Sequence, residues 1–122
     1  MKTVLLVEDT EDLRRFFSEV LTSAGYRVIG VENGQEALEM LETMAEPPCL
    51  VLLDMMMPVM DGKTFLQQLQ ANHRVAALPV VVASAIGGGS EGQAGAQRVL
   101  RKPVSPQLLT ELVREFCGAP ER

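Results

Sequence analysis

Short uninterrupted apolar runs alternate along this chain with longer stretches in which apolar residues recur at helical spacing. Short runs of this kind are typical of strands that are buried on both faces of a parallel sheet. Apolar positions at i, i+3, i+4 and i+7 instead lie on one face of an amphipathic helix. The predicted strands are residues 2–7, 26–31, 49–53, 79–83 and 97–101, and the alternation in the second predicts an edge strand.

Capping residues and prolines mark the ends of the predicted helices. Ser, Thr, Asn and Asp favour helix N-termini, whereas glycine ends a helix in the left-handed conformation. The predicted caps are Asp9 or Thr10, Asn33, and Ser105 followed by Pro106, and the predicted stops are Gly25, Pro47 with Pro48, and Gly118. The predicted buried faces are Leu13, Phe16, Phe17, Val20 and Leu21 in the first helix, Phe65, Leu66 and Leu69 in the third, and Leu108, Leu109, Leu112, Val113 and Phe116 in the last.

A glycine-rich segment interrupts this pattern between the fourth and fifth strands. Four of the residues at 87–92 are glycine. Each glycine in a helix costs about 1 kcal/mol relative to alanine, so the four disfavour a helix here by roughly 3 to 4 kcal/mol. The sequence therefore predicts that the fourth helix is short or disordered.

The elements follow the order strand then helix, repeated along the chain. Parallel strands require crossover connections, which are right-handed and place helices on both faces of the sheet. The sequence therefore predicts an α/β fold, a doubly wound parallel sheet, in a single domain over residues 1–122.

Polar side chains that can react or bind a ligand follow four of the predicted strands. Glu8 and Asp9 follow the first, Asp54 the third, Ser84 the fourth and Lys102 the fifth. Because the carboxyl ends of parallel strands meet at one edge, these side chains are predicted to lie together. Ligands bind in the crevice at that edge of an open α/β sheet, so Asp54 is interpreted as a reactive group rather than a loop-opening aspartate.

Charge and composition exclude several classes of function. The net charge is -5 and the pI is about 4.8, whereas nucleic-acid binding requires a basic face to neutralise phosphates. The apolar runs are too short for a membrane span, so we expect a cytoplasmic protein with no direct nucleic-acid or membrane partner.

Cys49 and Cys117 show neither a metal spacing nor a disulfide framework, so reduced thiols are expected. His73, the single histidine, has no nearby ligand set and is interpreted as a surface residue.

These residues together resemble the CheY-like receiver domain of bacterial two-component response regulators. The motifs that carry the resemblance are Glu8 with Asp9, Asp54, the loop at 57–62, Ser84 with Ala85, and Lys102 with Pro103. They stand in the family's order, and the resemblance covers essentially the whole chain. It implies the flavodoxin-like (βα)5 fold with the strand order 2-1-3-4-5.

The resemblance implies that Asp54 accepts a phosphoryl group from a phosphohistidine on a sensor histidine kinase or phosphotransferase. It also implies a Mg²⁺ site, with Asp9, Asp54 and the main-chain carbonyl of Met56 as direct ligands and Glu8 acting through water. This agrees with the chemistry, because a cluster of carboxylates needs a divalent cation to neutralise it, and Mg²⁺ prefers oxygen ligands.

The resemblance assigns electrostatic roles to two further residues. The Lys102 ammonium is implied to contact one phosphoryl oxygen, and the Ser84 hydroxyl to donate to another. A cis peptide is implied between Lys102 and Pro103. The resemblance also implies that the protein controls a downstream protein or an output domain. We expect it to be a monomer or weak dimer.

Two departures from the family pattern alter the expected switch. Val99 stands where family members carry an aromatic residue three positions before the lysine, so the usual aromatic readout is missing. The segment from Ser84 to Lys102 is about one helical turn shorter than is usual in the family, and phosphorylation is hypothesised to order or reposition it. Met56 and Ile86 are hypothesised to overhang the phosphoryl group and lengthen its lifetime.

Three functions compete at this point. The leading hypothesis is a phosphoryl-accepting switch that catalyses only its own phosphorylation and dephosphorylation, and so is not an enzyme. A phosphatase or phosphotransferase with an outside substrate is disfavoured, because such enzymes place a second aspartate where this chain has Met56. The third is a phosphorylation-independent binding module on a receiver fold. The start at Met1 favours a stand-alone or N-terminal receiver.

Overall fold

Each predicted apolar run forms a strand in the structure, a computed structural model that describes residues 2–54, 62–72, 77–84, 98–101 and 105–119. For Asp54, residues 62, 63 and 66, Ser84 and residues 98–101 the description covers the main chain only, so the predicted burial of Leu66 lies outside it. The elements are β1 (Thr3–Val7), α1 (Glu11–Ser23), β2 (Arg27–Val31), α2 (Gly34–Thr43), β3 (Leu50–Asp54), α3 (Gly62–Ala71), β4 (Val80–Ser84), β5 (Arg98–Arg101) and α4 (Pro106–Cys117).

The strands form one parallel sheet in the order β2-β1-β3-β4-β5. This confirms the flavodoxin-like order and the edge position of β2. The strand bounds differ from the predicted ones by one residue at several ends, and β3 extends to Asp54. Asp54 is therefore the last residue of its strand rather than the first residue after it.

Alternate residues of the central strands enter two different cores, as the two-residue period of a strand requires. Leu5 and Val7 of β1 face the core that α2 and α3 cover, where Phe65 is fully buried. Val4 and Leu6 face the opposite core, which α1 and α4 cover. Full burial of one such apolar side chain contributes about 1.5 to 3 kcal/mol, so the two cores together fix the sheet between its helices.

Two of the three predicted helix caps are confirmed in the described part of the chain. The Asn33 side chain accepts a hydrogen bond from the Glu36 N–H at 2.8 Å, and the Ser105 hydroxyl accepts one from the Leu108 N–H at 3.1 Å. Thr10 occupies the N-cap position of α1, but its side chain makes no capping hydrogen bond. The first helix therefore begins with a main-chain hydrogen bond, from the Arg14 N–H to the Thr10 carbonyl oxygen, and with no side-chain cap.

Two residues predicted to lie on buried helix faces are exposed. Phe16 of α1 is 40% exposed and Leu108 of α4 is 44% exposed. Their neighbours Phe17 and Leu109 are buried in the core between the helices and the sheet. Helical periodicity gives the direction of the apolar face but not its width, and both exposed residues lie at the margin of that face.

The expectation of reduced thiols is wrong, because Cys49 and Cys117 form a disulfide in the structure. The two residues are 68 positions apart in the sequence, and their Cα atoms are 5.3 Å apart. Cys49 lies directly before β3 and Cys117 is the last residue of α4. These two element ends meet at the edge of the sheet where the strands begin, which the spacing of the cysteines could not reveal.

Two hydrogen bonds close the same edge of the sheet. The Tyr26 hydroxyl donates to the Gly118 carbonyl oxygen at 2.6 Å, and the Lys2 ammonium donates to the Ala119 carbonyl oxygen at 2.9 Å. Gly118 has a φ of 78°, the left-handed region that favours glycine, which agrees with its prediction as a helix stop. The chain therefore leaves α4 against the starts of β1 and β2.

Several predictions lie outside the described residues. They are the short or disordered fourth helix with its glycine-rich segment, the position of His73, and the peptide bond between Lys102 and Pro103.

Candidate functional site

The strand register brings the predicted site residues to one edge of the sheet. Val7 pairs with Leu53, so Glu8 and Asp54 are the next residues along two neighbouring strands. Asp54 pairs in turn with Ala83 of β4, directly before Ser84. All of these positions lie at the carboxyl ends of their strands, as the sequence predicted.

The register places the end of β5 at the same edge. Ser84 pairs with Arg101, and Lys102 is the next residue in the chain. The side chains of Asp54 and Ser84, the whole of Met56, Ile86 and Lys102, and the side chain of Val99 lie outside the description. The roles predicted for these side chains stay predictions.

The acidic turn after β1, residues 8–10, is described in full. Glu8 is 1% exposed, and its N–H donates to the Val31 carbonyl oxygen at 3.0 Å. The Glu8 carboxylate accepts a hydrogen bond from the Thr10 N–H at 3.2 Å, which folds the turn back on itself. Asp9 is exposed. The turn thus presents one buried and one accessible carboxylate beside the end of β3.

Arg14 also contacts this turn, and the sequence pattern did not predict this contact. One terminal nitrogen of its guanidinium donates to the Glu8 carbonyl oxygen at 2.8 Å. The other lies 3.8 Å from a carboxylate oxygen of Glu32, which follows β2. An arginine on the first turns of a helix that starts from an acidic loop was the available signal, but it equally fits a solvated helix face.

The donor chemistry of this edge fits a hard divalent cation. Carboxylate and carbonyl oxygens are the ligands that Mg²⁺ takes in proteins, and a carboxylate as deeply buried as that of Glu8 needs compensation by hydrogen bonds or positive charge. Among the side chains that the structure describes, no group of three His, Cys, Asp or Glu residues is close enough to hold a metal ion. The predicted ligand set includes Asp54 and Met56, so that finding does not test it.

The described residues contain no helix that is long and apolar enough to cross a membrane.

Comparison with known proteins decides the family. The response regulator receiver domain family matches residues 4–114, from the first strand into the last helix. The chain belongs to this family. The resemblance found in the sequence is thereby confirmed, and the strand order agrees with it.

Similar proteins cover the chain almost completely. The chemotaxis protein CheY1 of Helicobacter pylori is 31% identical, over 94% of this chain and 96% of that protein. The probable transcriptional regulator ycf27 of Pyropia yezoensis is 36% identical over 98% of this chain, and the chain spans 49% of its length. The receiver domain of the sensor histidine kinase PA1611 from Pseudomonas aeruginosa has a TM-score of 0.86 and 28% identity, with 96% and 98% of the two chains covered.

The similar proteins thus include a chemotaxis protein, a probable transcriptional regulator and part of a kinase. The structure of the PA1611 receiver domain carries a magnesium ion coordinated in its active-site cleft. The receiver domain therefore occurs in proteins of different kinds.

Proposed function

We propose that this receiver domain accepts a phosphoryl group on Asp54 from a phosphohistidine of a sensor histidine kinase or phosphotransferase. The observation that carries the proposal is the strand register, which aligns Glu8, Asp54 and Ser84 at one edge of the sheet. In the reaction the phosphorus–nitrogen bond of the donor breaks, and a bond forms between phosphorus and a carboxylate oxygen of Asp54. The departing imidazole nitrogen takes the electron pair of the broken bond.

The proposed metal ligands are Asp9, Asp54 and the main-chain carbonyl of Met56, with Glu8 acting through water. When bound, Mg²⁺ neutralises the carboxylates and the charge on the transferring phosphoryl oxygens. The buried Glu8 carboxylate and the exposed Asp9 beside it support this assignment, because they offer hard oxygen donors next to the end of β3. The magnesium ion in the PA1611 receiver domain also agrees with it.

Two further residues are proposed to stabilise the phosphoryl group. The Lys102 ammonium contacts one phosphoryl oxygen and the Ser84 hydroxyl donates to another. The pairing of Ser84 with Arg101, one residue before Lys102, supports this joint role. Phosphorylation then changes the conformation of the segment that connects Ser84 to Lys102. The usual aromatic readout is replaced there by Val99, so the proposed switch acts through the segment itself.

The proposed domain acts as a monomer or weak dimer, and its partners are a phosphohistidine donor and a downstream protein or output domain. Its acidity, with a net charge of -5, supports protein partners rather than direct binding to nucleic acid. Its chemistry is confined to its own aspartyl phosphate, and no outside substrate is proposed.

The test is the intact mass of the protein after incubation with Mg²⁺ and acetyl phosphate. We expect the wild type to gain one phosphoryl group and Asp54→Ala to gain none. Asp12→Ala is the matched control, because Asp12 is an exposed carboxylate on the first turn of α1; this variant should gain the group as the wild type does. Wild-type protein that binds Mg²⁺ but gains no mass would instead favour the phosphorylation-independent binding module.

A further inference from the structure

Arg14 has an unusual set of contacts for a residue on a surface helix. Its side chain is 20% exposed, whereas that of the neighbouring Arg15 is 65% exposed. Arg15 contacts the Glu11 carboxylate, four residues earlier on the same helix. Arg14 instead joins α1 to two other parts of the molecule, the acidic turn and the end of β2.

The methylene groups of Arg14 lie against Gly30 of β2. A Cβ atom at position 30 would lie 3.2 Å from both Cγ and Cδ of Arg14, closer than nine in ten contacts that Cβ atoms make. Gly30 is exposed, so burial in the core does not require a glycine there. Its missing side chain lets the arginine cross the edge strand and reach the acidic turn.

The contact with the turn is made to its main chain. The Arg14 guanidinium donates to the Glu8 carbonyl oxygen, while the Arg14 N–H donates to the Thr10 carbonyl oxygen at 2.9 Å. Both ends of the turn that carries Asp9 are therefore bonded to one residue. Because hydrogen bonds with a charged donor are stronger than neutral ones, the guanidinium contact is the firmer of the two.

We infer that Arg14 is a positioning residue for the divalent cation, and that it keeps the Glu8 and Asp9 carboxylates ordered before the cation arrives. The missing side chain of Gly30 leaves room for the arginine to reach the turn. The inference rests on the proposed function. Two adjacent carboxylates repel each other. Without the Arg14 contact the turn would become ordered only when the cation binds, and this loss of conformational entropy would weaken binding. Removal of the Arg14 contact should therefore weaken cation binding.

Charge alone predicts the opposite result, which makes the inference testable. An arginine close to a cation site repels the cation, so loss of its charge should strengthen cation binding. Arg14→Gln and Arg15→Gln remove the same charge from adjacent positions of α1. We expect about five-fold weaker binding for Arg14→Gln, since it loses a charge-assisted hydrogen bond, and less than about two-fold tighter binding for Arg15→Gln.

The measurement is the dissociation constant for Mn²⁺, obtained from the free ion counted by electron paramagnetic resonance. Mn²⁺ takes the same oxygen ligands as Mg²⁺. Gly30→Ala is a second test, because it crowds Cγ and Cδ of Arg14, which must shift by a few tenths of an ångström, without a change of charge. It should weaken binding about two- to three-fold by partial loss of the same hydrogen bond. Thermal unfolding of each variant shows whether it is folded.

A kinetic readout separates positioning from general damage. For Arg14→Gln, the Mg²⁺ concentration that gives half-maximal phosphorylation by acetyl phosphate should rise about five-fold, in step with the binding constant. The rate at saturating Mg²⁺ should equal that of the wild type. A folded variant that is merely loosened would instead lose rate at saturation.

Three outcomes are decisive. Weaker binding by both Arg14→Gln and Gly30→Ala, with Arg15→Gln near the wild type, supports the inference. Unchanged or tighter binding by Arg14→Gln overturns it and leaves the proposed function intact. Wild-type protein that binds no Mn²⁺ and gains no phosphoryl group overturns both, so the two failures are distinguishable.

Discussion

The two edges of the sheet are held in different ways. At the amino edge, where the strands begin, a disulfide and two hydrogen bonds join residues that are 68, 92 and 117 positions apart. At the carboxyl edge, side-chain hydrogen bonds of the acidic turn join residues that are 2 and 6 positions apart. The amino edge therefore closes the fold, whereas the carboxyl edge orders its turn mainly through local contacts.

The two edges are expected to contribute to different properties, the amino edge to stability and the carboxyl edge to cation binding. The disulfide persists in the unfolded chain and restricts its freedom, so its loss should lower the free energy of unfolding. The two hydrogen bonds stabilise the folded state alone, and their loss should lower it by less. The local contacts of the acidic turn add less to the free energy of unfolding, but they set where the carboxylates lie. Changes at the amino edge should therefore lower the free energy of unfolding and leave cation binding unchanged, whereas changes to the acidic turn should weaken cation binding more than they lower stability.

Removal of the disulfide should have the largest effect on stability. A crosslink between residues 68 positions apart is worth about 4 kcal/mol in the chain-entropy account. We expect Cys49→Ala with Cys117→Ala to lose about that much free energy of unfolding in urea, and to keep the wild-type affinity for Mn²⁺.

The control for this pair of substitutions is wild-type protein in excess dithiol, which keeps both sulfur atoms and should lose a similar amount. If dithiol leaves the stability unchanged and the untreated protein already titrates as two free thiols, the amino edge is closed by hydrogen bonds and packing alone. The long-range contacts at this edge would then be the hydrogen bonds of Tyr26 and Lys2.

Loss of the Tyr26 hydroxyl should have the next largest effect. Tyr26 is 2% exposed and donates to the Gly118 carbonyl oxygen at 2.6 Å. Tyr26→Phe keeps the buried ring but leaves that oxygen without this donor, which should cost about 1.5 kcal/mol. Lys2→Met is the matched control at the same edge, because its bond to Ala119 is exposed and should be worth less than about 0.5 kcal/mol. Urea unfolding of both variants measures the difference, and equal losses would contradict it.

The smallest effect is predicted for a helix cap at the carboxyl edge. Asn33 caps α2 by accepting from the Glu36 N–H, and Asn33→Ala should lower the free energy of unfolding by about 1 kcal/mol. Thr10→Ala is the control, since Thr10 holds the same position on α1 without a side-chain bond to the helix. Urea unfolding should show almost no change for the control. A similar loss in both variants would mean that the side-chain hydrogen bond is not the cause.

Much of the fold could be predicted because its signals are local. Apolar runs mark the strands, Asn33 and Ser105 mark helix starts, and the alternation of strand and helix leaves few topologies. The position of Asp54 followed from the same signals, since only the end of a buried run was needed. The family's motifs then supplied the strand order.

The errors concern contacts between elements that are distant in the sequence. Cys49 and Cys117 meet because the start of one strand and the end of the last helix share an edge, and their spacing carries no record of this. Phe16 and Leu108 are exposed because the width of a helix contact depends on the neighbouring helix. Arg14 was missed for a related reason, since its importance depends on Gly30, which lies on another element.

The disulfide also turns residues 49–117 into a covalent ring. Asp54, Ser84 and Lys102 lie inside this ring, whereas Glu8 and Asp9 lie on the open segment before it. A single protease cut inside the ring leaves one covalent molecule that migrates as a single species without reductant, whereas a cut between Asp9 and Cys49 releases the acidic turn as a separate peptide. Gels run with and without reductant therefore show on which side of Cys49 the backbone is cut.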